Sequence, residues 1–285
     1  MAEPVTPQVF SIAAHRGFAD ALVAGLMPRY ADTELGLARL TLLLPSGRAV
    51  RTMTEAFVRH SGSGLLMPRM VVVGDLDLDE ALGPLLDPIG AAVSIAPAAD
   101  PTRRWLRLAE LIREEWRDEQ SPPRGSALLR LAFEMGHTVD RLLAEQIGPE
   151  ELYGEDVLGL LGDLADNWKR SLRLFMAVQN RWLDELRARG EVDPADRRNR
   201  LFEHAAQRWK DDPPATPIVA AGVTSAAKGV AALLRRVARL PQGAVILPDL
   251  DLSMSSEVWD ELGHAGAPDV DPPIAQGDAV THPQY

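Results

Sequence analysis

A chain of 285 residues with 46% hydrophobic and 25% charged content is long enough for one large or two ordinary domains with substantial cores. Its net charge of -11 argues against a protein that coats duplexes, since nucleic-acid affinity rests largely on cations that neutralise phosphates, so any nucleic-acid site has to be local. Cysteine is absent, which excludes disulfides and thiolate metal sites within the chain; with no long apolar run and no basic-then-apolar N-terminus, a cytoplasmic protein without a membrane span is expected.

The first ninety or so residues alternate strand-like and helix-like segments, the signature of layered α/β structure. "VFSI" (9–12) reads as a strand, and "GFADALVAGLMPRY" (17–30) carries apolar residues at 18, 22, 23 and 26 in helical spacing. "LTLLL" (40–44) is a second buried strand, followed by a helix around "AVRTMTEAFVRH" (49–60), and "MVVV" (70–73) is a third strand before the acidic "GDLDLDE". Uninterrupted apolar runs suit a parallel sheet covered on both faces. Pro and Ala cluster in "APAADPT", which places a boundary at residue 97.

From Thr102 to about Lys210 the pattern becomes long helices. Trp105, Leu108, Leu111, Ile112 and Trp116 fall on one helical face, with Ser126 and Gly190 as start and stop residues of later helices. The tryptophans at 105, 116, 168, 182 and 209 are read as core residues before base-stacking platforms. After "DDPPATP" the α/β pattern resumes with "PIVAAG" (217–222), the helix "AAKGVAALLRRVARL" and the strand "AVILP" (244–248). The simplest organisation is an α/β domain in two parts, 1–97 and 213–285, interrupted by a helical domain at 98–212. The tail from Gly263 is rich in Gly, Pro and Asp and reads as loop.

A nucleotide-binding loop needs G-x-x-x-x-G-K-[ST] after a strand. The loop after the first strand, "AAHRGFAD", has one glycine and no lysine. His15, Arg16 and Gly17 therefore occupy a degenerate version of that position, open to an anion or merely solvated. In "PSGR" (45–48), Ser46, Gly47 and Arg48 lie between a strand's carboxyl end and a helix's amino end, where backbone N–H groups and the helix dipole favour anions. Arg51, Arg59 and Arg69 follow with only Glu55 among them, which makes a locally basic area on an acidic chain; the bland alternative is a Ser46 helix cap with solvated arginines. "PIVAAG" ends without the carboxylate that would hold magnesium. Asp249 and Asp251, and likewise Asp75, Asp77 and Asp79, lack the rest of a calcium loop and read as solvated turns, so no metal site is assigned.

"VFSIAAHRGFADALVAGL", "LLLPSGRAVRTMTEAF", "LLMPRMVVVGDLD", "PIVAAGVTSAAKGVAALLRRVARLPQGAVILPDLDL" and the terminal "HPQY" together resemble the N-terminal part of the alphaproteobacterial-type AddB family, the double-strand-break repair subunits of AddAB helicase-nucleases. The resemblance covers essentially the whole chain and rests on the order of five motifs, none highly specific alone. It implies a RecA-like, P-loop NTPase-like α/β domain of the superfamily-one helicase type with an inserted helical domain. It further implies the AddA motor as partner, DNA ends and single-stranded DNA as ligands, and ATP and Mg²⁺ as cofactors of the parent complex rather than of this chain. The family's C-terminal nuclease lies beyond Tyr285, and the cysteines that hold an iron-sulfur cluster in many members are absent, so a fragment or truncated form is expected. Under this resemblance Ala13 to Asp20 stands at the nucleotide loop and Ala220 to Gly222 at the magnesium-binding acid, both degenerate. Ser46, Gly47, Arg48 and Arg51 stand where active relatives touch single-stranded DNA. The competing readings are an ATPase with a stand-in lysine such as Lys228, an unrelated α/β enzyme using the same strand ends, and a docking module for AddA.

Overall fold

The structure is a computed structural model that describes residues 6–30, 35–62, 64–73, 86, 95–117, 122–148, 152, 165–224 and 227–265. Asp75, Asp77, Asp79 and the terminal "HPQY" lie outside the described residues. The chain folds as α/β, with a five-stranded, all-parallel sheet and eight described α-helices. The strands are β1 (Val9–Ile12), β2 (Thr41–Leu44), β3 (Arg69–Val72), β4 (Ile218–Ala221) and β5 (Gly243–Pro248), in the spatial order β1-β5-β4-β2-β3. Each expected strand is present within a residue or so of its expected bounds.

Register follows from alternation. Leu42 and Leu44 of β2 and Val219 and Ala221 of β4 point to one face, where they pack with α1 (Phe18–Tyr30) and α2 (Gly47–Ser61). Leu43, Ile218 and Ala220 point to the other face, as side chains one residue apart in a strand must. There they meet α6 (Pro194–Asp211) and α7 (Lys228–Val237) through Phe202, Trp209, Val230 and Leu233. All four residues of β2 and of β4 are buried, which accounts for their unbroken apolar sequence.

Between β3 and β4 in the chain lie α3 (Pro101–Glu115), α4 (Gly125–Ala144) and α5 (Ala165–Arg189). These three enclose a separate core of Leu108, Leu111, Ile112, Met135, Val178 and Trp182. The next helix, α6, falls within the range read from sequence as helical insert, yet its apolar face belongs to the sheet. Gly190 follows α5 at φ 65, the left-handed C-terminal position that glycine favours. Ser126, by contrast, lies inside α4 and caps nothing, since the N-cap is Arg124 without a side-chain bond and the helix starts at Gly125, whose φ is 53.

Two polar joints tie these helices together. Asp193 caps α6 through Ala195 N–H and accepts from Trp182 Nε1 at 3.1 Å, while Arg104 of α3 reaches Asp193 at 2.9 Å and Asp140 of α4 at 2.8 Å. On the α3–α5 seam, Arg107 pairs with Glu185 at 2.7 Å and Arg181 pairs with Glu114 and Glu115. The Arg107 hydrogen bonds hold Glu185 below the usual carboxylate range, and those of Arg181 do the same for Glu114. A carboxylate with a depressed folded-state pKa stabilises above its unfolded value and ceases to do so as pH falls through the folded one. Thermal melts from pH 7 to pH 3 are therefore expected to show the seam weakening below the ordinary glutamate range, with Glu185→Gln less sensitive to that acidification. An identical acid response in wild type and variant would contradict it.

Candidate nucleic-acid interface

The sheet order sets the position of the loops. From β2 the chain runs through α2 outward to β3, and from β4 it runs through α7 in the opposite direction to β5, with the two helices on opposite faces. The carboxyl ends of β2 and β4 are neighbours in the sheet, so the crevice beside them is a topological switch point, the usual ligand position in an open parallel sheet. Pro45 to Gly47 follow β2 and Gly222 to Thr224 follow β4 at this edge.

Ser46 sits in extended backbone (φ -160, ψ 163), and its Oγ accepts from Ala49 N–H at 3.3 Å, so the expected helix cap is present. The N–H groups of Gly47 and Arg48 have no acceptor within the helix, as at any helix start. Helical periodicity then divides α2: Met53, Ala56 and Phe57 are buried on β2, and Arg48 and Arg51 are exposed. Neither arginine makes an ion pair or side-chain hydrogen bond with any described residue, and Glu55 pairs with neither. Arg59, from the same basic stretch, is bound instead to Asp20 of α1 at 2.8 Å, and His60 lies 3.2 Å from the same carboxylate. The Arg59 hydrogen bond is the main reason Asp20 sits below the ordinary carboxylate range.

A Cβ on Gly47 would meet nothing within 4 Å, so packing does not require glycine there. Gly47→Ala is expected to leave stability unchanged or to raise it by about 0.4–1 kcal/mol, through the smaller entropy of the unfolded chain. A denaturant titration showing clear destabilisation would overturn that.

The loop after β1, an edge strand separated from β2 by β5 and β4, is tied to the segment that follows β5. Ala14 N–H, which a bound anion would use, donates to Asp249 Oδ1 at 2.9 Å. Asp249 N–H in turn donates to the Ile12 carbonyl at 2.8 Å, and Leu250 N–H donates to Ser11 Oγ at 2.9 Å. The Asp249 carboxylate thus holds one N–H of this loop, that of Ala14. His15, Arg16 and Gly17 are exposed around it. Beyond Gly17 the Phe18 ring lies against the end of β4, where a Cβ on Gly222 would come within 3.3 Å of it; Gly222 itself is at φ 68. The end of β4 therefore carries no carboxylate, and its Gly222 lies under an aromatic ring. Lys228 begins α7, on the sheet face opposite α1, away from the loop it would need to serve. Among the described residues no group of three or more His, Asp or Glu side chains is arranged to hold a metal, and no helix is long and apolar enough to cross a membrane.

The structure thus places Ser46, Gly47, Arg48 and Arg51 together on one helix start and His15, Arg16 and Gly17 in a separate loop. Two long-range contacts that the sequence did not announce, those of Asp249 and Phe18, shape that second loop. Asp249 is exposed, as read from sequence, but it also accepts a hydrogen bond from a residue 235 positions away in the chain, so no local pattern announces that contact. Compared with known proteins, the chain matches no family model and no curated protein.

Proposed function

We propose that this chain is the non-catalytic, helicase-like N-terminal part of an AddB-type repair subunit and that it holds single-stranded DNA through the loop between β2 and α2. The five-stranded all-parallel sheet is compatible with a RecA-like domain, and the helices between β3 and β4 are compatible with a helical insertion. The observation that carries the reading is the pair of exposed arginines, Arg48 and Arg51, without any acid partner among the described residues, at a helix start beside the switch point. Guanidinium groups left unpaired on a chain of net charge -11 are suited to backbone phosphates, and the helix start adds N–H donors. The Ala14–Asp249 hydrogen bond and the Phe18 ring support a domain that does not turn over nucleotide. In the proposed setting an AddA motor drives the DNA and this domain guides one strand during end resection.

Fluorescence titration with labelled single-stranded DNA tests this. Arg48→Ala/Arg51→Ala is expected to weaken binding and to flatten the salt dependence by about 0.7 in log–log slope for each phosphate no longer neutralised, with ATP and Mg²⁺ making no difference. An unchanged affinity and slope would remove the reading and leave docking to a motor subunit as the better account.

A further inference from the structure

Beyond the loop before α2, we propose that the outer ridge of α4 is a second single-strand contact, where Phe133 and Trp105 stack nucleobases and Arg130 and Arg141 meet the flanking phosphates. It rests on the reading above only in taking the ligand to be single-stranded DNA.

Residues 130, 133, 137 and 141 fall on one stripe of a helix at about 100° per residue. Phe133 is 53% exposed and Trp105, from the adjoining α3, is 37% exposed, although the same helices bury Trp182 completely enough to leave 3%. These rings are held in place. His137 meets Phe133 edge-on, with ring centroids 4.4 Å apart and planes at 81°, a favourable aromatic arrangement. Trp105 Nε1 donates to the Leu129 carbonyl at 2.9 Å, which fixes the indole across the α3–α4 seam and satisfies its one polar group. Between Trp105 and Phe133 lies a cavity of about 420 Å³ floored by Leu108 and Gly136, within the size range of small-ligand pockets.

Two exposed arginines lie at the ends of this ridge. Arg130 and Arg141 are exposed and make no ion pair with a described residue. They differ from Arg104, Arg107 and Arg181 nearby, each of which is bound to carboxylates. Arg130 and Arg141 are eleven positions apart on the helix, about 16 Å along the axis, with the aromatic rings between them. Of the nearby acids, Asp140 is tied to Arg104, while Glu134 and Glu145, four residues after Arg130 and Arg141 respectively, are exposed and make no ion pair with either arginine. Aromatic faces framed by unpaired arginines are what sequence-tolerant binding of single strands uses, since every base has a π-face and every nucleotide a phosphate.

The test titrates the full chain with a labelled thymidine oligonucleotide and with an abasic strand of equal length. Phe133→Ala is expected to weaken thymidine-strand binding about fivefold or more while leaving the abasic strand within about twofold, because only the first strand has bases to stack. Phe133→Leu, which keeps the apolar surface and lacks the π-face, is expected to behave like the alanine variant, and circular dichroism should find both folded. Arg130→Ala/Arg141→Ala should weaken both strands. A Phe133→Ala protein that binds the thymidine strand like wild type overturns the proposal; if Arg48→Ala/Arg51→Ala still weakens binding there, the loop before α2 stands as the sole strand site. Weakening through Phe133→Ala with no effect of Arg48→Ala/Arg51→Ala supports this ridge and removes the other loop. A wild type that binds neither strand at low salt overturns both.

Discussion

Arg104→Ala is expected to lower folding stability by about 3–5 kcal/mol, because it removes one partner from a buried ion pair and leaves the other uncompensated. Asp193 is only 1% exposed and Arg104 11%, so water does not replace the missing guanidinium. Asp193 also holds the start of α6 and accepts from Trp182, which means the stranded carboxylate sits where α3, α5 and α6 meet. Asp193→Ala should cost a comparable amount, and the double variant less than the sum of the two, since the second change finds its partner already gone. The pH dependence has a definite sign. Burial pushes the Asp193 carboxyl up, opposed by Arg104 and the Trp182 hydrogen bond. A group with a raised folded-state pKa favours folding at low pH, and that contribution is lost as pH rises through the folded value. Without Arg104 the rise is larger, so the gap between variant and wild type should narrow on acidification. Urea melts at pH 7 and pH 4.5 check this, and a gap that widens in acid would overturn it.

The sheet was legible in the sequence because a doubly covered parallel strand has to be apolar throughout. "LTLLL" and "PIVAAG" carry that requirement on their face, and β2 and β4 are buried at every position. The pairing order was not legible, because nothing in those runs says which neighbour each strand takes. The site divides in the same way. Ser46 and the arginines after it are local features, two to five residues apart, and their cap and exposure follow from helix geometry. Asp249, Phe18 and Gly222 act through contacts between distant parts of the chain, where periodicity carries no information. The α4 ridge was readable in principle, since Arg130, Phe133, His137 and Arg141 follow helical spacing. An aromatic residue on a helix is ordinarily core, however, and only the packing reveals that Phe133 and Trp105 are left partly outside, whereas Trp182 and Trp209 lie in the core as expected.

Phe57→Ala is expected to cost about 3–5 kcal/mol, the usual penalty for truncating a fully buried phenylalanine and leaving a cavity. Phe57 is 0% exposed and packs with Met53, Ala56, Leu42, Leu44 and Leu22 between α2 and the sheet. It is the residue that seats α2, and because buried positions 53, 56 and 57 claim one side of the helix, Arg48 and Arg51 are turned to the other. Folding and ligand contact are thus carried by opposite faces of one element. Truncating Phe57 should shift the denaturant midpoint strongly, yet under native conditions the folded fraction should retain the wild-type salt slope for single-stranded DNA, since the slope counts neutralised phosphates rather than stability. Replacing Arg48 and Arg51, exposed and unpaired, should leave the stability within about 0.5 kcal/mol of wild type while changing the slope. Parallel denaturation and titration of the two variants would expose any failure of this separation: a Phe57→Ala protein that is folded but binds with a reduced slope would mean that the arginines depend on the seat of α2 to reach the strand.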